Sequence, residues 1–167
     1  MAVQCLKPGP HTMRAPRDPR AMLDTTEFDR WRATASDALE SGRAEAARNA
    51  PHWACFLSEQ ACQFALKGLL HGVGQPAWGH DATELGQRVA SALAGALPQE
   101  LTDAIARLGR HYIATRYPDA HPAGTPATHY TAADAAQALA DAEAVLSYAD
   151  DAWTALREAA EHNGSDD

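Results

Sequence analysis

Between Pro51 and Leu70 the chain is apolar nearly all round a helix, and this segment constrains everything else. Trp53, Phe56, Leu57, Ala61, Phe64, Leu66, Leu69 and Leu70, with Val73 just beyond, cover most of the helical circumference. A helix without a polar face has to be central, because several neighbours must cover it. Pro51 suits a first-turn position, and Gly72-Val73-Gly74-Gln75-Pro76 ends the run.

The covering elements are legible as further 3.6-residue patterns. From Glu27 to Ser41, Phe28, Trp31, Ala35 and Ala38/Leu39 recur at steps of three and four. Thr25 or Thr26 is the expected N-cap, Glu27 and Asp29 favour the first turn, and Gly42 is the expected stop. A third helix is expected over Asp81 to Ala96, carrying Leu85, Val89, Ala92/Leu93 and Ala96/Leu97. Pro98 opens a fourth, with Leu101, Ile105, Leu108, Tyr112 and Thr115 in register. Pro118, Pro122, Gly124 and Pro126 then force a loop. Thr131 caps the last and longest helix, which reaches about His162 on a stripe from Ala132 through Leu139 and Leu146 to Ala160.

No window alternates with period two. The expectation is therefore an all-α, antiparallel up-and-down bundle of about five helices with a long C-terminal helix. Trp153 and Leu156, late in that helix, either pack on another subunit or close the monomer's own core. A chain of 167 residues supports one such domain. It is expected over residues 25–162, after a Pro- and Arg-rich disordered leader (1–24) and before a short disordered tail (163–167). Met13 and Met22 in the leader are alternative starts.

Charge and cysteine usage narrow the function classes. The net charge is -8, and from Tyr117 onward Arg157 is the one basic residue against ten acidic ones. Such a surface does not wrap nucleic acid, whose binding is driven by Lys and Arg, but it leaves room for a local site that holds one phosphate. No apolar run approaches the ~20 residues of a membrane-spanning helix. Cys55 and Cys62 lie seven residues apart on one helix. That rise of ~10 Å exceeds the reach of a disulfide. With Cys5 alone in the leader, a reducing, cytoplasmic setting is expected.

The eight histidines form no His-x-x-x-His pair, and Cys-x-x-Cys is absent, so neither a metal nor another cofactor is expected. Gly72 and Gly74 lead to Pro76, not to a phosphate-binding helix start, and no Gly-x-Ser-x-Gly turn occurs. What remains is Arg116-Tyr117-Pro118-Asp119-Ala120-His121, at the exit of the fourth helix. An arginine holds phosphate through two parallel hydrogen bonds, and a histidine moves protons near neutral pH. Together they suffice for metal-free phosphodiester cleavage. Alternatively Arg116 salt-bridges a neighbour such as Asp119, and His121 sits in a wet loop.

Three phrases in order carry a family resemblance: Leu57 to Leu70 (LSEQACQFALKGLL), Gly79-His80-Asp81 before Glu84-Leu85, and Tyr112 to Asp119 (YIATRYPD). Over about residues 26–150 the chain resembles the HEPN domain (higher eukaryotes and prokaryotes nucleotide-binding). The resemblance implies a helical bundle that commonly forms a homodimer. In bacteria it also implies a minimal nucleotidyltransferase as partner, some such pairs acting as toxin and antitoxin. Many members are metal-independent RNases in which Arg and His, four to six residues apart, meet their counterparts at the dimer interface. Arg116 and His121 have that spacing.

Carried onto this chain, Arg116 and His121 would be catalytic, with Tyr117 or Asp119 orienting them. In a binding module Arg116, Tyr117, Asp119, Lys67 and His80 would contact a nucleotide or RNA. Lys67 is otherwise a solvated helix edge, and His80-Asp81 a helix-start pair. Three readings follow: a dimeric module for a nucleotide, RNA phosphate or nucleotidyltransferase; an RNase toxin; and a scaffold dimer without ligand.

Overall fold

The computed structural model describes residues 23–164. The expected leader, apart from Leu23 and Asp24, and the last residues of the expected tail lie outside them. The order is α1 (Thr25–Ala47), α2 (Pro51–Gly72), α3 (Ala82–Ala92), α4 (Gln99–Gly109), the single turn α5 (His111–Ala114) and α6 (Ala132–Gly164). Short 3-10 turns at Pro118–Ala120 and Pro126–Thr128 lie in the connection before α6. No strand occurs among the described residues, and no helix is long and apolar enough to cross a membrane. The protein is an all-α bundle.

As its pattern demands, α2 is the axis. It packs on α1, α3, α4, α5 and α6. Ala54, Cys55, Ala61, Cys62, Ala65, Leu66, Leu69 and Leu70 are all withdrawn from solvent. Both cysteines are free thiols. Against α2 lie Phe28, Ala35 and Leu39 of α1, and Ala138, Ala142, Val145 and Ala149 of α6. The alanine-rich contact face of α6 lets it lie close to α2 along much of its length.

Four boundaries differ from the sequence expectation, each for a physical reason. Asp24, not Thr25 or Thr26, caps α1, its carboxylate accepting the Glu27 N–H at 3.0 Å. Gly42 does not stop α1. It is buried inside the helix, where a Cβ would stand 3.4 Å from both the Ala54 carbonyl and Leu139 Cδ2. Its missing side chain is used for close approach, not for a left-handed cap. The third helix ends at Ala92, because Ala94 turns left-handed (φ 52°), and Leu97 packs back toward Gly86 from outside the helix. The fourth helix breaks at Arg110, whose N–H bonds back three residues to Arg107, and it restarts as α5.

Trp153 resolves the question left open for α6. It is buried, stacked on Phe28 at 4.3 Å and 10°, and a Cβ on Gly72 would fall 2.5 Å from its ring. It closes its own protomer's core.

Candidate functional site

One stripe of α2 departs from the apolar rule. Phe56, Glu59, Gln63 and Lys67 follow each other at steps of three and four, so they share one face. Glu59, Gln63 and Lys67 are all buried. The Glu59 carboxylate accepts from Gln60 Nε2 at 2.7 Å and from Gln63 Nε2 at 2.5 Å. Gln63 also donates to the His80 carbonyl at 3.1 Å. Its Oε1 accepts from Lys67 Nζ at 3.3 Å and from His80 Nδ1 at 3.2 Å, which fixes the His80 proton on Nδ1. Gln63 is thus the hub between α2 and the loop that precedes α3.

Burial pushes the Glu59 carboxyl up to about 7, against the opposing effects of its two amide donors and the nearby charges of Arg116 and Lys67. Lys67 is pulled below its ordinary value by the same burial, with Glu59 opposing. Its ammonium is therefore a structural partner of Gln63, not the solvated edge that its helical position suggests.

The stripe leads to Arg116 through rings. The Arg116 guanidinium carbon lies 4.4 Å from the Tyr112 ring centre, 4.6 Å from Phe56 and 5.3 Å from Tyr117. His80 stacks on Tyr112 at 5.0 Å and 12°. Arg116 Nε donates to the Tyr112 carbonyl at 2.8 Å. Among the described residues no carboxylate pairs with Arg116, and the alternative of a bridge to Asp119 is not realised: Asp119 is exposed in its 3-10 turn. Arg107, nine residues earlier, shows the contrast. Its Nε and Nη2 grip both oxygens of Asp141 at 2.8 Å. Among the described residues nothing hydrogen-bonds the two terminal nitrogens of Arg116, which lies next to Tyr117, 51% exposed.

The Arg116-to-His121 segment has a local logic of its own. The last four carbonyls of a helix lack intrahelical donors. In α5 each finds one: His111 O takes the Thr115 N–H and hydroxyl, Tyr112 O takes Arg116 Nε, Ile113 O takes the N–H groups of Arg116 and Tyr117, and Ala114 O takes His121 Nε2 at 2.7 Å. His121 therefore carries its proton on Nε2 and has Nδ1 to accept another. Its ring stacks on His129 at 4.1 Å and 4°, and stands edge-on to Tyr130 at 6.4 Å. Arg116 and His121 are thus tied to one turn of helix, and no hydrogen bond or ring contact joins them.

The structure brings Arg116 and His80 onto the Tyr112 ring with Tyr117 beside Arg116, links Lys67 to His80 through Gln63, and shows no hydrogen bond or ring contact from Asp119 or His121 to this group. Glu59 and Gln63 were absent from the sequence-based candidates. Two amide or acid side chains four apart in a helix otherwise apolar all round were the signal. No group of His, Cys, Asp and Glu among the described residues could hold a metal ion.

The sequence matches the HEPN domain over residues 28–152. The chain belongs to the HEPN domain family. Solved structures agree with the assignment. TT1696 from Thermus thermophilus is 36% identical, with a TM-score of 0.72 over 75% of this chain and 98% of that one. ST0689, an archaeal HEPN homologue, is 28% identical, with a TM-score of 0.62 over 74% and 94%. An HEPN domain protein from Thermotoga maritima, TM0613, is 26% identical, with a TM-score of 0.59 over 77% and 98%. No curated protein matches the chain. Within the HEPN span of this protein lie both the α2 stripe and the Arg116–His121 segment.

Proposed function

We propose that this HEPN domain is a dimeric binding module whose Arg116 holds a phosphate group of a nucleotide or RNA, with Tyr117 at its side. The observation that carries the reading is the state of Arg116. Its Nε is anchored on Tyr112 O, its plane rests on aromatic rings, and no carboxylate among the described residues neutralises it. A guanidinium oriented in this way loses little further entropy on closing a bidentate pair with a phosphate. Around it Trp53, Ile113 and Tyr117 are half-exposed, which supplies apolar area for a second copy or for a nucleotidyltransferase partner.

Titration calorimetry with adenosine monophosphate and with a short single-stranded RNA tests the reading. Binding is expected in the native protein and lost in Arg116→Ala. Light scattering tests the dimer, with Ile113→Glu expected to weaken it. Flat titrations of the native protein would reject the phosphate assignment.

The second reading, a metal-independent RNase toxin, is favoured by one observation. His121, with Nδ1 open to a proton, and Arg116 are both held by the carbonyls of α5. Within one protomer no hydrogen bond or ring contact joins them, and in this reading the partner copy brings its own His121 to Arg116. RNA cleavage in excess chelator, abolished by Arg116→Ala and by His121→Ala, would establish it. Mixing the two inactive variants would then restore part of the activity, because a mixed dimer rebuilds one intact pair.

A further inference from the structure

Among the described residues the large apolar side chain most open to solvent is Trp78, 81% exposed, in the loop between α2 and α3. Its exposure is built into the loop on both sides. Before it, Ala77 is buried and the Pro76 carbonyl accepts from Arg88 Nη2. After it, Gly79 takes a left-handed φ of 93° that a side chain would strain, and the His80 carbonyl accepts from Gln63 Nε2 at 3.1 Å. With both flanks fixed, the indole stands out from the surface. Tryptophan is enriched among the side chains that anchor interaction surfaces.

We propose that Trp78 is the platform on which the chain's own segment Arg14–Arg20 docks. The segment reads Arg14-Ala15-Pro16-Arg17-Asp18-Pro19-Arg20, in which prolines and arginines alternate. Proline-rich segments pack on aromatic rings at low entropic cost, and of the aromatic rings Trp attracts a guanidinium most strongly. The point of entry into the fold suits this docking. Residues 1–22 lie outside the described residues, and just after Leu23 the Asp24 N–H donates to the Gly72 carbonyl at 2.8 Å. Gly72 precedes Trp78 by six residues, a span of at most about 20 Å. Gly74 shortens it, turning left-handed (φ 72°) with its N–H on the His71 carbonyl. Pro16 lies eight residues before Asp24, a reach of about 26 Å, so the segment is long enough. The charges also match. Asp81 keeps Oδ2 uncommitted, and the exposed Glu84 makes no ion pair among the described residues. Glu84 lines, with Gln75 and Arg88, a hollow of about 420 Å³ beside the loop. The segment brings three arginines against one aspartate.

Two measurements on the full chain test the docking from either end. Limited digestion with trypsin reads the bonds after Arg14, Arg17 and Arg20. Trp78→Ala removes a side chain that the core does not use, and it is expected to speed cleavage of these bonds about fivefold. Heteronuclear NMR of the indole N–H groups reads the platform itself. Replacing Pro16, Arg17 and Pro19 together by Ser is expected to move the Trp78 signal and to leave those of Trp31, Trp53 and Trp153 in place. Cleavage at the native rate in Trp78→Ala, or a Trp78 signal that the triple substitution leaves unmoved, would overturn the proposal. So would a Trp78 signal that shifts when the native protein is diluted, because the ring would then be covered by a second copy.

Discussion

Two faces of α2 solve the problem of burial in opposite ways. Toward α1 and α6 the helix offers Ala, Cys and Leu side chains, and closure comes from shape: Gly72 accepts the Trp153 ring, which in turn stacks on Phe28. Toward α5 and the loop before α3 it offers Glu59, Gln63 and Lys67, and closure comes from a chain of hydrogen bonds centred on Gln63. On the first face the buried Ser58 hydroxyl is satisfied locally by the Ala54 carbonyl at 2.8 Å, and the indole N–H of Trp153 lacks a partner among the described residues. The second holds a carboxyl and an ammonium that both resist their charged forms. Packed shape is the surer route to stability, and buried ionisable groups are a poor one unless they serve something else. The difference teaches that the polar face is kept for what it supports, and what it supports is the ring platform under Arg116.

The largest expected effect breaks the packed face. Trp153→Ala removes a buried ring from between Phe28 and Gly72, and a loss of about 4 kcal/mol is expected in urea unfolding. Phosphate binding by the folded fraction should be unchanged, because nothing on the polar face touches Trp153.

Glu59→Gln sharpens the comparison from the other side. A carboxyl held near 7 in the fold, against an ordinary value of 4.5, binds its proton more tightly folded than unfolded. Stability from this group is therefore full below pH 4.5 and falls as the pH rises through 7. By pH 8 the cost is about 3 kcal/mol. His111, His71 and His52, all pulled below their ordinary values by burial, act in the opposite sense on the acid side. The quantity to measure is accordingly the difference between variant and native protein, in which the histidines cancel. Near pH 5 that difference should be small, and it should grow in favour of Glu59→Gln up to pH 8. A difference independent of pH would mean that Glu59 is ionised throughout.

A smaller effect of the same kind is expected at Lys67. Lys67→Met replaces a buried ammonium that bonds only Gln63 with an apolar chain of similar length, for a gain of about 1 kcal/mol. Nucleotide affinity should not move, whereas a ligand contact through Nζ would lower it.

How much of this was readable beforehand follows the same division. The packed face was legible almost residue by residue, since apolar periodicity is a direct record of which side meets a neighbour. Its errors fell where a small residue serves packing instead of backbone geometry, as at Gly42, and where helix ends depend on one carboxylate, as at Asp24. The polar face was legible only as names. Arg116, Tyr117, His80 and Lys67 could be picked out, but the placement of Arg116 over the Phe56 and Tyr112 rings is a tertiary contact between α2 and the end of α5. Nothing in the local sequence states that two elements separated by some fifty residues will share those rings. His121 shows the limit most clearly. Its spacing from Arg116 suggested a joint site, but spacing does not reveal that the ring bonds the Ala114 carbonyl and stacks on His129.

The smallest effect on stability belongs to Arg116→Ala. The variant loses one hydrogen bond to the Tyr112 carbonyl and contact with partly exposed rings, with no carboxylate left unpaired, so a loss under about 1 kcal/mol is expected. Its electrostatic signature should be larger. Arg116 is one of the two cations that hold the Glu59 carboxyl down, and without it the Glu59 titration should move further up from about 7. Carbon-detected NMR of the Glu59 carboxyl reads this directly. A phosphate bound by the native protein should push the same titration in the same direction, because its negative charge offsets the guanidinium as seen from below. If Glu59 responds to the substitution but not to added phosphate, then Arg116 is electrically part of the polar face without being its binding group, and the two faces of α2 would both be structural.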